Sequence, residues 1–330
     1  MEKILSLIIP TYNMEKYLNK CLDSLIVDNM NLLEVLIIND GSKDRSSEIA
    51  HEYESNYPNT FRVIDKENGN YGSCINRGLK EATGKYIKVL DADDSFDNNN
   101  LSSYLTFISQ QDNDLILNNC IKVDLEGNIV GTFSISNIYK TISFKEFAQK
   151  KIFPQMHCIT YKREKIYSIS YKQTEGIPYT DQEWVTIPMQ NINTVINSNI
   201  LLYKYLIGRE GQTIDKEIWS KSFKHQKKVA LSIIKCAHDY KGDQNHKKYL
   251  VQKASNYLTF LYTEHIINSV YDELEFKEFD DVIKNNYPFI YNSNYNNRFI
   301  NLIIKRWRLN KSNKFNIRLF LWINKYYSML

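Results

Sequence analysis

Short apolar runs alternate with stretches of helical periodicity along the first third of the chain. Leu5–Ile9 is an apolar run broken only by Ser6 that stops at Pro10, after which Tyr17, Leu18, Cys21, Leu22, Leu25 and Ile26 recur at helical spacing. Val35–Ile38, Phe61–Ile64 and Tyr86–Leu90 predict three further buried strands. Ser42 or Asp44 stands where a helix cap is needed after the second strand. A glycine-bearing turn at residues 68–72 leads into a helix expected over about Ser73–Ala82. Apolar strands separated by helices imply a mostly parallel sheet covered on both faces, that is, an α/β fold. Such sheets bind ligands beyond the carboxyl ends of their strands.

Further on the pattern is mixed. Leu115–Leu117, Ile159–Tyr161 and Val195–Tyr205 can extend the sheet, Glu126-Gly127-Asn128 suits a hairpin turn, and a helix is expected from Asp181 to Met189. Beyond Ile214 the character changes: residues 217–240 and 247–274 lack proline and space their apolar residues by three and four. The expected organisation is an α/β domain over 1–214, with halves 1–97 and 98–214, and a helical C-terminal region over 215–330.

Composition narrows the class. The 330 residues are 43% hydrophobic and 24% charged, which is globular rather than disordered. Five scattered cysteines without a C-x-x-C pair argue against a disulfide framework or zinc cage and fit a reducing compartment. The first apolar stretch is too short for a signal-peptide core, and nowhere do 18 apolar residues run together, so a cytosolic protein is expected. The net charge of +4 is unevenly placed. Nine Lys or Arg and no acid follow Asp281, leaving 33 basic against 38 acidic residues before them, a balance of −5. A basic tail on an acidic body meets anionic partners.

Asp91-Ala92-Asp93-Asp94, directly after an apolar strand, carries the most chemistry. Three carboxylates so close repel one another and need a cation or hydrogen bonds. A hard divalent ion with oxygen ligands supplies that, although an acidic turn capping the next helix is the plain alternative. Three other polar motifs also fall at strand ends: Thr11-Tyr12-Asn13, Asn39-Asp40-Gly41-Ser42 and Asn68-Gly69-Asn70.

Together, Ile8-Ile9-Pro10-Thr11-Tyr12-Asn13, Ile38-Asn39-Asp40-Gly41-Ser42, Ala82-Thr83-Gly84-Lys85-Tyr86 and the Asp-x-Asp step resemble the family 2 glycosyltransferases of GT-A fold. The resemblance is strong over 3–97, weaker over 98–213 and absent beyond. It implies an inverting transferase that moves a sugar from a nucleotide-diphosphate sugar, usually a UDP-sugar, to a glycan or lipid-linked acceptor in cell-surface polysaccharide synthesis. Pro10, Thr11, Tyr12, Asn13, Asp40, Asn68, Asn70, Asp91, Ala92 and Arg209 would line the donor, with Asp40 accepting from the base. Asp91 and Asp93 would hold Mn²⁺ or Mg²⁺ against the diphosphate, while Asp94 is equally a helix cap. Asp181 in Tyr179-Thr180-Asp181-Gln182-Glu183-Trp184 would be the general base. Thr180 as N-cap with Asp181 and Glu183 as ordinary first-turn acids is the alternative.

The remaining candidates are double-edged. Ile75 stands where much of the family has an arginine, and Arg77 is either its substitute or a solvated helix residue. Trp184 suits a sugar platform or a helix core, Arg209 a diphosphate contact or a surface loop, and His157 the site lining or a structural role. Over 298–330 a basic amphipathic helix, with Phe299, Ile300, Leu302, Ile303, Ile304 and Trp307 opposite Asn301, Lys305 and Arg308, suits an anionic membrane surface on the inner face of the cell membrane. It suits equally packing on the helical region. A nucleotidyltransferase would show a basic glycine-rich loop after the first strand, and a dinucleotide binder G-x-G-x-x-G; neither is there. A non-catalytic nucleotide-sugar binder, or a nucleic-acid binder using the tail, is the alternative function, although no nucleic acid is expected with the acidic motifs intact. Oligomeric state has no sequence signal.

Overall fold

Six of the seven residues of β1 (Leu5–Thr11) are buried, and the strand continues through Pro10, where its apolar run had been expected to stop. Pairing explains why. β4 (Tyr86–Val89) lies beside β1 only as far as Ile8, so at Pro10 the strand has its β2 (Leu33–Asn39) neighbour alone, and a missing N–H is tolerated. The computed structural model describes residues 2–135, 138–209, 223–268, 271–293 and 298–310. It divides into two units, Met1–Gln212 and Thr213–Leu330.

The first unit is a mixed α/β domain built on a ten-stranded, mostly parallel sheet. Its helices are α1 (Leu18–Asp23), α2 (Ser46–Asn56), α3 (Asn70–Glu81), α4 (Asn98–Ser109), α5 (Phe144–Gln149), α6 (Arg163–Tyr167) and α7 (Asp181–Trp184). The other strands are β3 (Phe61–Asp65), β5 (Ser95–Phe96), β6 (Leu115–Val123), β7 (Ile129–Phe133), β8 (Ile142–Ser143), β9 (Ile159–Lys162) and β10 (Thr194–Leu206). The order is β3-β2-β1-β4-β9-β6-β10-β5, with β7 on β6 and β8 on β10. β1 pairs in parallel with β2 and β4, and β6 with β10, whereas β9 enters antiparallel between β4 and β6. The anticipated hairpin joins β6 to β7.

Two helices differ from expectation. α3 starts at Asn70 rather than near Ser73, because the Asp40 carboxylate, remote in sequence, accepts from the Gly69 N–H at 2.9 Å and satisfies the helix entrance. The helix expected over Asp181–Met189 is one turn, α7, followed by a 3₁₀ segment over Ile187–Asn191. Pro188 offers no N–H to continue an α-helix. At α2, Asp44 Oδ1 accepts from the Ser46 N–H at 3.0 Å, while Ser42 Oγ accepts instead from the Asn13 N–H at 3.1 Å.

The second unit is helical: α8 (Phe223–Asp239), α9 (Gln244–Asn268), α10 (Glu273–Asn286), α11 (Pro288–Tyr291) and α12 (Arg298–Asn310). Phe223, Val229, Ala230, Ile233, Ile234 and Ala237 bury one stripe of α8. Of the residues expected on the apolar face of α12, Ile304 and Trp307 are buried, whereas Leu302 is 62% exposed. Arg308 departs from its expected polar side: its Nε donates to the fully buried Asp280 carboxylate at 3.0 Å and its Nη1 to the Tyr291 carbonyl at 2.7 Å. No helix among the described residues is long and apolar enough to cross a membrane. Residues 311–330 of the basic tail lie outside the described residues.

Candidate active site

The carboxyl ends of β1, β2 and β4 bring the first-half motifs together. Thr11 and Asn39 are register partners, and the Asp40 N–H donates to the Thr11 carbonyl at 2.9 Å. Asn13, in the left-handed region at φ 53°, accepts from the Lys43 N–H at 2.8 Å and so ties the two strand ends together. Thr11 is buried, Pro10 half-buried, and Tyr12 is 45% exposed. Asp40 Oδ1 accepts from Lys66 Nζ at 2.6 Å as well as from Gly69. Asn68 Nδ2 donates to the Asp40 carbonyl at 2.9 Å, and Asn70 opens α3 at φ 65°. Lys66 therefore ties Asp40 to Ser73 at the start of α3, a role its place in a polar turn did not advertise.

The acidic turn leaves β4 and splits into three environments. Asp94 points inward: Tyr203 Oη donates to its Oδ2 and the Leu206 N–H to its Oδ1, both at 2.7 Å, and its side chain is wholly buried. Burial, then the charges of Asp93 and Asp91, push its carboxyl well up. Asp94 thus braces β10 and is not the cap of α4, whose N-cap is Asp97. Asp93 is ion-paired with Arg209, whose guanidinium also lies 5.8 Å from the centre of the Tyr17 ring. Asp91 Oδ1 accepts from Tyr71 Oη at 2.9 Å; burial first, then Asp93, push its pKa up to about 7. Ala92 between them is buried.

His157 joins this turn from the 3₁₀ segment just before β9, which runs antiparallel beside β4. Its Nε2 lies 4.0 Å from both Asp91 Oδ2 and Asp94 Oδ2, and its ring packs against Tyr203 and Tyr205. Burial, with the nearby charges of Lys88 and Lys122, pushes its pKa down to about 3, so it is a neutral imidazole. His157 Nδ1 is buried with no hydrogen-bond partner. Asp91, Asp94 and His157 can each present a ligand atom within 4.8 Å of the others. The donor set, carboxylate oxygens that repel one another plus a neutral imidazole nitrogen, fits a divalent cation.

Asp181 approaches the same place from α7. Its charge raises the pKa of both Asp91 and Tyr71, so it shares their electrostatic neighbourhood. Glu183, two residues on, is wholly buried, and its carboxylate accepts from the Thr174 N–H and Oγ1, both at 2.7 Å. Thr180 does not cap α7; its Oγ1 accepts from Gln173 Nε2 at 2.7 Å. Trp184 is 1% exposed and packs against Tyr161 and Tyr171, which excludes it as a sugar platform. Ile75 is buried, and Arg77 pairs along its own helix with Glu81 at 3.0 Å. Glu210–Thr213 of the glycine loop lie outside the described residues. Lys66, Tyr71, Lys88 and Tyr203 are the site residues that sequence reasoning missed. A lysine within the apolar run Tyr86–Leu90 was the one visible signal.

Residues 6–169 match the family model described as glycosyl transferase family 2. The minor teichoic acid biosynthesis protein GgaB of Bacillus subtilis is 36% identical over 112 residues, covering 33% of this chain and 12% of that protein. The first curated relatives are matched over about a quarter to a third of their own length. Among solved structures, Staphylococcus aureus TarS 1–349 in complex with UDP-GlcNAc superposes with a TM-score of 0.63 at 18% identity, over 85% of this chain and 79% of that one. The mannosyltransferase PcManGT of Pyrobaculum calidifontis, in complex with GDP-Man and Mn²⁺, gives 0.50 at 13% identity over 94% and 88%. These two likenesses concern the fold. Motifs, sheet order and family model converge on the same residues, and residues 6–169 form a glycosyl transferase family 2 domain.

Proposed function

We propose that the chain is an inverting glycosyltransferase of cell-surface glycan synthesis, using a nucleotide-diphosphate sugar, in the first place a UDP-sugar. One observation carries the reading: at the carboxyl ends of a family 2 sheet, the Asp40 N–H is bonded to the Thr11 carbonyl at 2.9 Å, and the acidic turn that leaves β4 has Asp91 Oδ2 and Asp94 Oδ2 each 4.0 Å from His157 Nε2. The names of GgaB and of the two sugar-nucleotide complexes support the same chemistry. Pro10–Asn13, Asp40, Asn68 and Asn70 would hold the nucleotide, and the remaining oxygen of Asp40 would take the base N–H. Asp91 and Asp93, as the resemblance implies, with His157 beside Asp91, would hold Mn²⁺ or Mg²⁺, which would offset diphosphate charge as the leaving group departs. Arg209 would then exchange Asp93 for a phosphate oxygen. Asp181 would remove the acceptor hydroxyl proton on the face opposite the leaving group.

The test is a hydrolysis and transfer screen of UDP-, GDP- and dTDP-sugars with Mn²⁺ or Mg²⁺, with and without EDTA. Turnover in one donor class that EDTA abolishes is expected. Asp181→Asn should lower the transfer rate by about 10²–10⁴ while donor affinity holds. Turnover untouched by EDTA sinks the metal, and near-normal transfer by Asp181→Asn sinks the base.

For the basic end, the proposed partner is an anionic bilayer. The outward side of α12 carries Leu302 and Leu309, 62% and 84% exposed, with Lys305 and Arg306 exposed between them. Each basic residue near such a surface contributes about 1 kcal/mol. Exposed leucines favour lipid over a nucleic-acid backbone. Because Arg308 is buried against Asp280, the clean test is Leu302→Ser with Leu309→Ser rather than truncation. Loss of vesicle binding at low salt with unchanged stability is expected; binding equal to wild type rules the face out.

A further inference from the structure

Lys88 lies in the middle of β4, wholly buried, and no ion pair reaches it among the described residues. A bare ammonium in a sheet core is costly unless its protons are all received. Here they are: Nζ donates to Asn118 Oδ1 at 2.8 Å, the His157 carbonyl at 2.8 Å and the Ile159 carbonyl at 3.1 Å. Asn118 Nδ2 donates to the same His157 carbonyl at 3.2 Å. Two donors inside the sheet therefore grip the backbone of the 3₁₀ turn Met156–Cys158 just where it becomes β9. The imidazole of His157 leaves that gripped residue toward Asp91 and Asp94, with the Tyr203 and Tyr205 rings 4.7 and 4.5 Å away. A leucine or valine at 88 would fill a strand position equally well. It would leave the two carbonyls without this donor.

We infer that Lys88 is a positioning residue: by holding the 157 and 159 carbonyls from within the sheet, it sets His157 Nε2 beside the acidic turn, where His157 serves the divalent cation together with Asp91. The inference rests on the metal-assisted reading above. Partners that orient a metal-binding side chain typically change metal affinity by about 10–100-fold when removed. Lys88→Met keeps length and apolar volume but loses the three donations.

The experiment is a Mn²⁺ titration of the full chain by electron paramagnetic resonance, with circular dichroism as the check on folding. Lys88→Met and His157→Ala should each weaken Mn²⁺ by roughly tenfold or more. The double variant should be no weaker than His157→Ala alone, because both changes remove one contact. Affinity within about twofold of wild type in Lys88→Met, or multiplicative losses in the double variant, overturns the inference. If Lys88→Met does not fold, Lys88→Gln, which keeps a shorter donor, takes its place in the same cycle. Should the wild type bind no Mn²⁺, the metal reading fails by itself. The positioning is then read in the metal-free protein: the imidazole resonances of His157 should move in Lys88→Met, and unchanged resonances overturn it.

Discussion

At Asp91 burial first, and then the charge of Asp93, decide the protonation state, and this gives a pH dependence of known sign. The folded chain keeps its carboxyl protonated up to about pH 7, whereas an unfolded chain releases that proton in the ordinary carboxylate range. Between those limits the folded state binds more protons, so the contribution of Asp91 to stability falls as pH rises and is gone above about 7. Asp91→Asn removes the effect and should gain on the wild type in melting temperature from about pH 5 to pH 8, in EDTA. A gap that stays constant would show that Asp91 ionises normally. The comparison is between variants because His157, held neutral down to about 3, has the opposite slope below its ordinary range. A second residue-scale outcome separates two acids of α7. Glu183→Gln places an amide against the two Thr174 donors and should cost about 1–3 kcal/mol in denaturant unfolding. Asp181→Asn should leave stability nearly unchanged, and equal stability losses in the two would contradict this division of labour.

At the scale of elements, α3 is seated by small residues on both sides. A Cβ on Gly72 would lie 2.0 Å from the Thr174 carbonyl, and one on Gly78 2.5 Å from Ile8. Gly72→Ala should therefore push α3 from the segment that leads to α7, at a cost of about 1–3 kcal/mol. A melting temperature equal to wild type would show that the loop yields freely. The same elements show which parts of the fold were legible. β1, β2 and β4 are buried almost throughout, so their sequences are short, mainly apolar runs interrupted by single polar residues (Ser6, Glu34 and Lys88), whereas β3 is only partly buried. The insertion of β9 between β4 and β6 was not legible, since Ile159 meets Leu117 and Lys162 meets Tyr86 through pairing that leaves no local trace. Carboxylates at strand ends could be named from sequence, because three acids in four residues directly after a buried strand stand out against the apolar run before them. What each does depends on remote partners. Asp94 turned inward because Tyr203 and Leu206 were there to receive it, and Arg209 reached Asp93 from 116 residues away.

For the molecule as a whole, the helical unit is locked by one buried charge pair. Arg308 also stacks on Tyr291, 3.6 Å from its ring centre, and Tyr262 donates to the same Asp280 carboxylate. Arg308→Met strands Asp280 in the core and should cost about 3–5 kcal/mol, read as faster hydrogen exchange in α9 and α10. Unchanged exchange there would show the pair to be dispensable. The inward turn of Asp94 has a consequence for how the protein is made. Every donor motif of the first half has been synthesised by residue 97, yet the acidic turn takes its shape from Tyr203 and Leu206, 109 and 112 residues further on. At translation rates of about 5–20 residues per second, the ribosome needs roughly 5–20 s to cross that interval. During that time a nascent chain holds β1 to β4 and their polar motifs while Asp94 still lacks the Tyr203 and Leu206 donors that brace it. Function would therefore switch on late and at once, when β10 emerges and closes the sheet.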